Sequence, residues 1–177
     1  MRRLALLAAA GMALGVTGCT LNRPEDPVVL TGAQLPALSS VAAGDVVAFR
    51  WLQNWGQVPV QVDERKSVNF QTVYNNAVSA NFTTTVYADP GTFTGADSDG
   101  NVDSDDEVAF MARDVGVEAP DDAGTPAGVV AGSGVKVRVR STLGGDTKDG
   151  WIYLFKRSGN LDPGAGQHYV SYAFNLL

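Results

Sequence analysis

The chain of 177 residues has one cysteine and one histidine. A lone cysteine excludes an intrachain disulfide and a thiolate metal site. A lone histidine, His168, excludes multi-histidine zinc centres and leaves a Ser-His-Asp triad only one candidate base. His168 opens "GQHYVSY", and no G-x-S-x-G elbow occurs anywhere, so it reads as a surface residue at a strand end. The "GSG" at 132–134 has no accompanying Lys, which removes a phosphate-cradling loop. No apolar run reaches the ~20 residues that a membrane-spanning helix needs. No segment longer than about ten residues repeats with a helical period, so strong helices are not expected. Cations are also scarce, 13 Lys+Arg against 19 Asp+Glu. That balance argues against a nucleic-acid partner and against direct binding to anionic headgroups.

The first residues are of another kind. "MRRLALLAAAGMALGVTGC" carries two cations, an apolar run from Leu4 to Val16, and then Thr17-Gly18-Cys19. A short apolar run behind a basic start is the pattern of a secretory signal. The ending resembles the lipobox of bacterial lipoproteins: a branched apolar residue, two small residues, then Cys. The resemblance implies a signal peptide over 1–18, removal before Cys19, and lipidation of Cys19 as the new N-terminus. Membrane contact would then come through that lipid, in the outer membrane if the organism is Gram-negative. The leader takes two of the 13 cations and no acidic residue, leaving a formal charge of −8 on 19–177.

Residues 19–45 read as a lipidated Cys and flexible tether, with three prolines and many small residues in "TLNRPEDPVVLTGAQLPALSSVAAGD". A β pattern fills 46–177. "VVAFRWL" is a short apolar run. "WGQVPVQVDER" alternates, with Val58, Val60 and Val62 on one face, and Pro59 puts that strand at an edge. "NFTTTVYA" and "EVAFMA" follow. "GVKVRVRST" turns Val135, Val137 and Val139 inward, and "GWIYLFKR" is apolar on both faces, as a central strand is. These two predict a hairpin with a moderately long loop. "APDDAGTPAGVVAGSG" is a loop with room for a short strand at 128–131, and "HYVSYAFNLL" is the last strand. The sum is an all-β fold, an antiparallel β-sandwich of about seven short strands. The chain stops within an apolar strand, which fits either a longer protein cut short at its C-terminus or a strand that closes the sandwich.

Two stretches, "AGDVVAFRWLQNWGQVPVQVDER" and "DSDDEVAFMARDVG", resemble a β-rich domain of secreted bacterial proteins. Its pattern is VPVQVDE followed later by an Asp-rich turn, DDE, FMA, Asp and Gly. "WIYLFKRSGNLDPGAGQHYVSYAFNLL" resembles the region after it. The resemblance implies an exported β domain and brings no catalytic residue with it.

The Asp-rich turn is the best candidate site. Six carboxylates lie between Asp97 and Glu107 with no cation among them. From Asp97 to Asp122 there are ten, opposed only by Arg113. Asp97, Asp99, Asn101, Asp103 and Asp105 recur at every second position, as the first ligands of a calcium loop do. Val102 stands where an EF-hand turns on Gly, and Val108 where it needs a bidentate Glu, so the helix–loop–helix form is excluded. A calcium loop embedded between strands remains, with Asp106 or Glu107 completing the shell. A solvated acidic turn is the other reading, and the residues lean slightly toward it.

Two other readings stand beside Ca²⁺ binding. Trp55, in the turn "QNWGQ", is the best exposed aromatic for stacking on an envelope polysaccharide, as in carbohydrate-binding modules. A secreted hydrolase would need paired carboxylates. Asp63 and Glu64 are adjacent on a strand, point to opposite faces and cannot be that pair. The sequence therefore favours a lipid-anchored envelope protein of structural or binding type, not an enzyme, with a polysaccharide or protein as its further partner.

Overall fold

The computed structural model describes residues 21–169. Cys19, the leader and all of the last expected strand beyond Tyr169 lie outside them. The fold is all-β and sandwich-like, with every strand pairing antiparallel. A three-stranded sheet runs in the order β1 (Pro27–Thr31), β7 (Glu107–Met111), β4 (Gln61–Asp63). A four-stranded sheet runs β3 (Trp55–Val58), β2 (Val46–Trp51), β9 (Asp146–Lys156), β8 (Val135–Leu143). A separate ribbon pairs β5 (Arg65–Asn69) with β6 (Thr83–Tyr87), and one turn of helix, α1 (Phe70–Val73), continues β5.

The main core lies between the two larger sheets. Alternation sends Val46 and Ala48 of β2, Ile152 and Leu154 of β9, and Val108 and Phe110 of β7 into it. Val135, Val137 and Val139 pack against it, as their spacing predicts. The opposite face of β2 and β9 carries Val47, Phe49, Tyr153 and Phe155, which form a second cluster under the loops holding Ala119, Val129 and Leu161. β9 is therefore buried on both faces, and this is why its sequence shows no polar alternation.

Four sequence expectations are corrected. Residues 21–45 are no tether: Leu21, Leu35, Leu38 and Val41 are buried in the main core, and β1 completes the sheet beside β7. Three single turns of 3₁₀ helix (Gly32–Gln34, Pro36–Leu38 and Ala43–Asp45) occupy the rest. The small residues and prolines there are turn chemistry, and the few large apolar residues among them make the anchors. "WGQVPVQVDER" is not one strand. Pro59 lacks the N–H that would continue a ladder, and the chain passes there from β3 in one sheet to β4 in the other. The β8–β9 hairpin closes on two residues, Gly144 (φ 58°) and Gly145 (φ 86°). Positive φ at both positions is the type I′ combination that matches strand twist and that glycine adopts without strain. The count is nine strands among the described residues because of this splitting and because β1 and β5 were not foreseen, while the expected last strand falls outside them. The strand considered at 128–131 reduces to a single bridge between Val129 and Arg157.

Candidate functional site

The site grows out of the register of two strands. β4 and β7 pair Val62 with Val108 and Asp63 with Glu107. Val62 and Val108 face the core. Side chains alternate, so the next residues on that face are Glu64, after β4, and Asp106, before β7. Two carboxylates are thus directed toward the side of the sheet that elsewhere holds valines. Asp63 and Glu107 point the other way.

Asp106 is fully buried, at 0% exposure. It is held by two backbone donors: Arg65 N–H to Oδ1 at 2.7 Å and Asp103 N–H to Oδ2 at 2.8 Å. Burial raises its pKa above the ordinary carboxylate value, against the lowering effect of those two bonds. Glu64 has no such support. Both of its carboxylate oxygens are buried, and neither accepts a hydrogen bond. Burial first, and then the charges of Asp106, Asp97, Asp99 and Asp103, push its pKa up to about 7. Asp97 is the third member. One oxygen from each of Glu64, Asp97 and Asp106 lies within 4.8 Å of the other two. Among the described residues no Lys or Arg side chain pairs with these three carboxylates; the nearby Arg65 guanidinium pairs with Glu107 instead.

The Asp-rich segment is fastened from below. Gly32 N–H donates to Asp106 O at 2.9 Å, Ala33 N–H to Ser104 O at 3.1 Å and Ala43 N–H to Gly100 O at 3.1 Å, while Val102 N–H donates to Val41 O at 2.9 Å. Gly32 lies so close that a Cβ there would stand 1.7 Å from Asp103 O, a position only glycine can fill. Val102 is itself fully buried in the main core. This gives the physical reason for the residue that breaks the EF-hand pattern: position 102 is a core anchor, so it is valine where a free loop would turn on glycine.

Of the sequence candidates, the structure brings Asp97 and Asp106 into the cluster and disperses the others. Asp99 Oδ1 accepts from Asn101 N–H at 2.9 Å, and Asn101 bridges back to Ala42. Asp103 Oδ1 accepts from Asp105 N–H at 3.1 Å. The pKa of Asp105 is raised, first by its hydrogen bond with Asp103. Glu107 is turned to the opposite face, where it pairs with Arg65 and accepts from the Tyr87 hydroxyl at 2.8 Å. The every-second-residue pattern therefore shapes the turn, closing it with side-chain-to-backbone bonds, and does not form one coordination shell. Glu64 was not connected with the Asp-rich turn from the sequence because it is 33 positions from Asp97. Its signal was present in "VDE": the residue two past a core-facing Val62 is a carboxylate.

The donor set is all oxygen and triply charged at full ionisation. Such a set suits a hard divalent cation, Ca²⁺ or Mg²⁺, over the softer metals that select nitrogen or sulfur. A cleft of about 440 Å³ lined by Arg65, Lys66, Ser67, Asp97, Asp103 and Asp105 among others opens beside Asp97.

The other candidates are placed plainly. Trp55 is no exposed platform. Its indole N–H donates to Ala123 O at 3.2 Å, and its ring packs edge-on against Trp51 at 5.1 Å and Tyr153 at 4.9 Å. The turn that seemed to present it is instead the first residue of β3, docked on the second cluster. His168 is exposed at the rim of an apolar concavity that also holds Asp114 and Tyr169. Asp63 and Glu64 do diverge, as their adjacency requires. No helix among the described residues is long and apolar enough to cross a membrane. No protein-family model, curated protein or solved structure matches the chain.

Proposed function

We propose that the chain is an exported, lipid-anchored protein of the cell envelope, with a binding or structural role and no catalysis of its own, whose β-sandwich holds Ca²⁺ at Glu64, Asp97 and Asp106. The observation that carries the metal reading is Glu64. A carboxylate buried without a hydrogen bond, beside two other carboxylates, is one of the least favourable arrangements a fold can keep. A divalent cation removes both the repulsion and the missing partner in one step. The lipobox at Cys19 and the acidic balance of 19–177 support the exported, anchored part of the reading.

Thermal melts of the exported chain test the metal. Millimolar Ca²⁺ should raise Tm over the EDTA-treated protein, as binding to the native state alone requires. Glu64→Gln should abolish that rise. Equal melts with and without Ca²⁺ would remove the site. Palmitate labelling in the native host should be lost in Cys19→Ser; labelling that persists would refute the anchor.

A further inference from the structure

The ribbon β5–β6 and its connections form an arm, and the cluster sits at its base. Glu64 is the residue immediately before Arg65, where the arm leaves the body. Asp97 is the residue immediately after Ala96, where the chain returns. Asp106 belongs to the body, one residue before β7. The three carboxylates thus join the two feet of the arm to the sandwich. Their convergence comes with a second observation, the two buried and unpartnered oxygens of Glu64 directed into the group.

The arm has little else to hold it. No residue from 65 to 96 is buried, and none belongs to either core cluster. Its own cohesion comes from five paired residues on each strand and a small aromatic stack, Phe70 on Phe82 with ring centroids 5.1 Å apart and Phe93 edge-on at 6.0 Å. Tyr74, Phe82 and Phe93 are each more than half exposed all the same. A two-stranded ribbon without a buried face is marginal in water. Its polar ties to the body gather at the base: Arg65 N–H to Asp106, the Arg65–Glu107 pair, Tyr87 hydroxyl to Glu107, and Ala88 N–H to Glu64 O at 2.8 Å. Lys66 Nζ donates to Ala96 O at 2.8 Å and ties one foot to the other.

We infer that the ion bound by Glu64, Asp97 and Asp106 is a clip that closes the arm at its base, so that metal occupancy controls whether residues 65–96 are held as an ordered, presented ribbon. The inference rests on the metal reading above. Its physical basis is loop closure: a bond between Glu64 and Asp97 fixes both ends of the intervening segment and removes most of its freedom at one point. Without the cation, three like charges within a few ångströms act to separate the same feet. Opening at the base would release a segment with no core contacts to oppose it.

The test uses the exported chain with Ca²⁺ or with EDTA. Ion binding is read by calorimetry, and arm order by hydrogen exchange of peptides within 65–96 and by chymotrypsin cleavage at Tyr74 and Phe82. Ca²⁺ should slow exchange in β5 and β6 and cleavage in the arm by about tenfold or more, and leave the β8–β9 hairpin unchanged. Asp97→Asn should lose the arm protection while the far-UV spectrum stays that of the parent, because Asp97 supports no core contact. Calorimetric binding with unchanged arm exchange would overturn the clip and leave the metal site standing. Absence of binding heat, with an unshifted Tm, would overturn both.

Discussion

Asp149 and Glu64 carry the same charge in opposite settings. Asp149 lies in β9 directly across from Arg140 of β8, and it pairs with both Arg140 and Arg138 on the solvent-facing side of the hairpin. Those guanidiniums hold its carboxyl well below the usual range. Glu64 lies one residue beyond β4, on the core-facing side, with carboxylates for neighbours, and its pKa is pushed up to about 7. The first is neutralised within the fold. The second is left to a proton or an added cation, and this difference separates a structural ion pair from a candidate binding group.

Four experiments sharpen that contrast, from the largest expected effect to the smallest. Asp106→Ala should destabilise the protein by about 2–5 kcal/mol in denaturant titrations, because the backbone donors of Arg65 and Asp103 lose their buried acceptor. Glu64→Gln should do the reverse in EDTA, stabilising the protein at pH 8 by on the order of 1–3 kcal/mol. The sign follows from a folded-state pKa of about 7 lying above the ordinary 4.5. The native state keeps its proton longer than the unfolded chain, so its stability is full below pH 4.5 and declines until about pH 7. The advantage of Glu64→Gln should vanish at pH 4. In the third experiment Ca²⁺ should bind more tightly at pH 8 than at pH 6, with proton release at the lower pH, seen as a buffer-dependent heat. Asp149→Asn should change stability least. Any loss should shrink in high salt, as for exposed pairs, and Ca²⁺ binding should be untouched.

The two regions also differ in how much of them could be read from the sequence. The β8–β9 hairpin was legible residue by residue, since strict alternation in "VKVRVR" fixes inside and outside without knowing any partner. Only its loop was misjudged, and the two adjacent glycines held the correction. The carboxylate cluster was half legible. Composition pointed to the Asp-rich turn, but the three members meet through the β4–β7 register, and pairing between distant strands leaves no local trace. Asp97 was named, Asp106 was considered only as a completing ligand, and Glu64 was considered only for catalysis. Residues 21–45 were read as a tether for a related reason: four buried apolar side chains spread over twenty-one residues have no period. Only the packed core shows that Leu21, Leu35, Leu38 and Val41 serve it together.

Leu21 is 2% exposed, and Asn22 is bonded through its side chain to Asp146 O at 2.8 Å on the β8–β9 turn. Leu21 and Asn22, two and three positions after Cys19, are thus fixed to the body. Two residues reach no more than about 7 Å. An acyl chain on Cys19 would seat the sandwich flush on the bilayer rather than on a leash. On the proposed anchoring, the side of the molecule that holds Leu21, Asn22 and the Gly144-Gly145 turn would be the one turned to the bilayer.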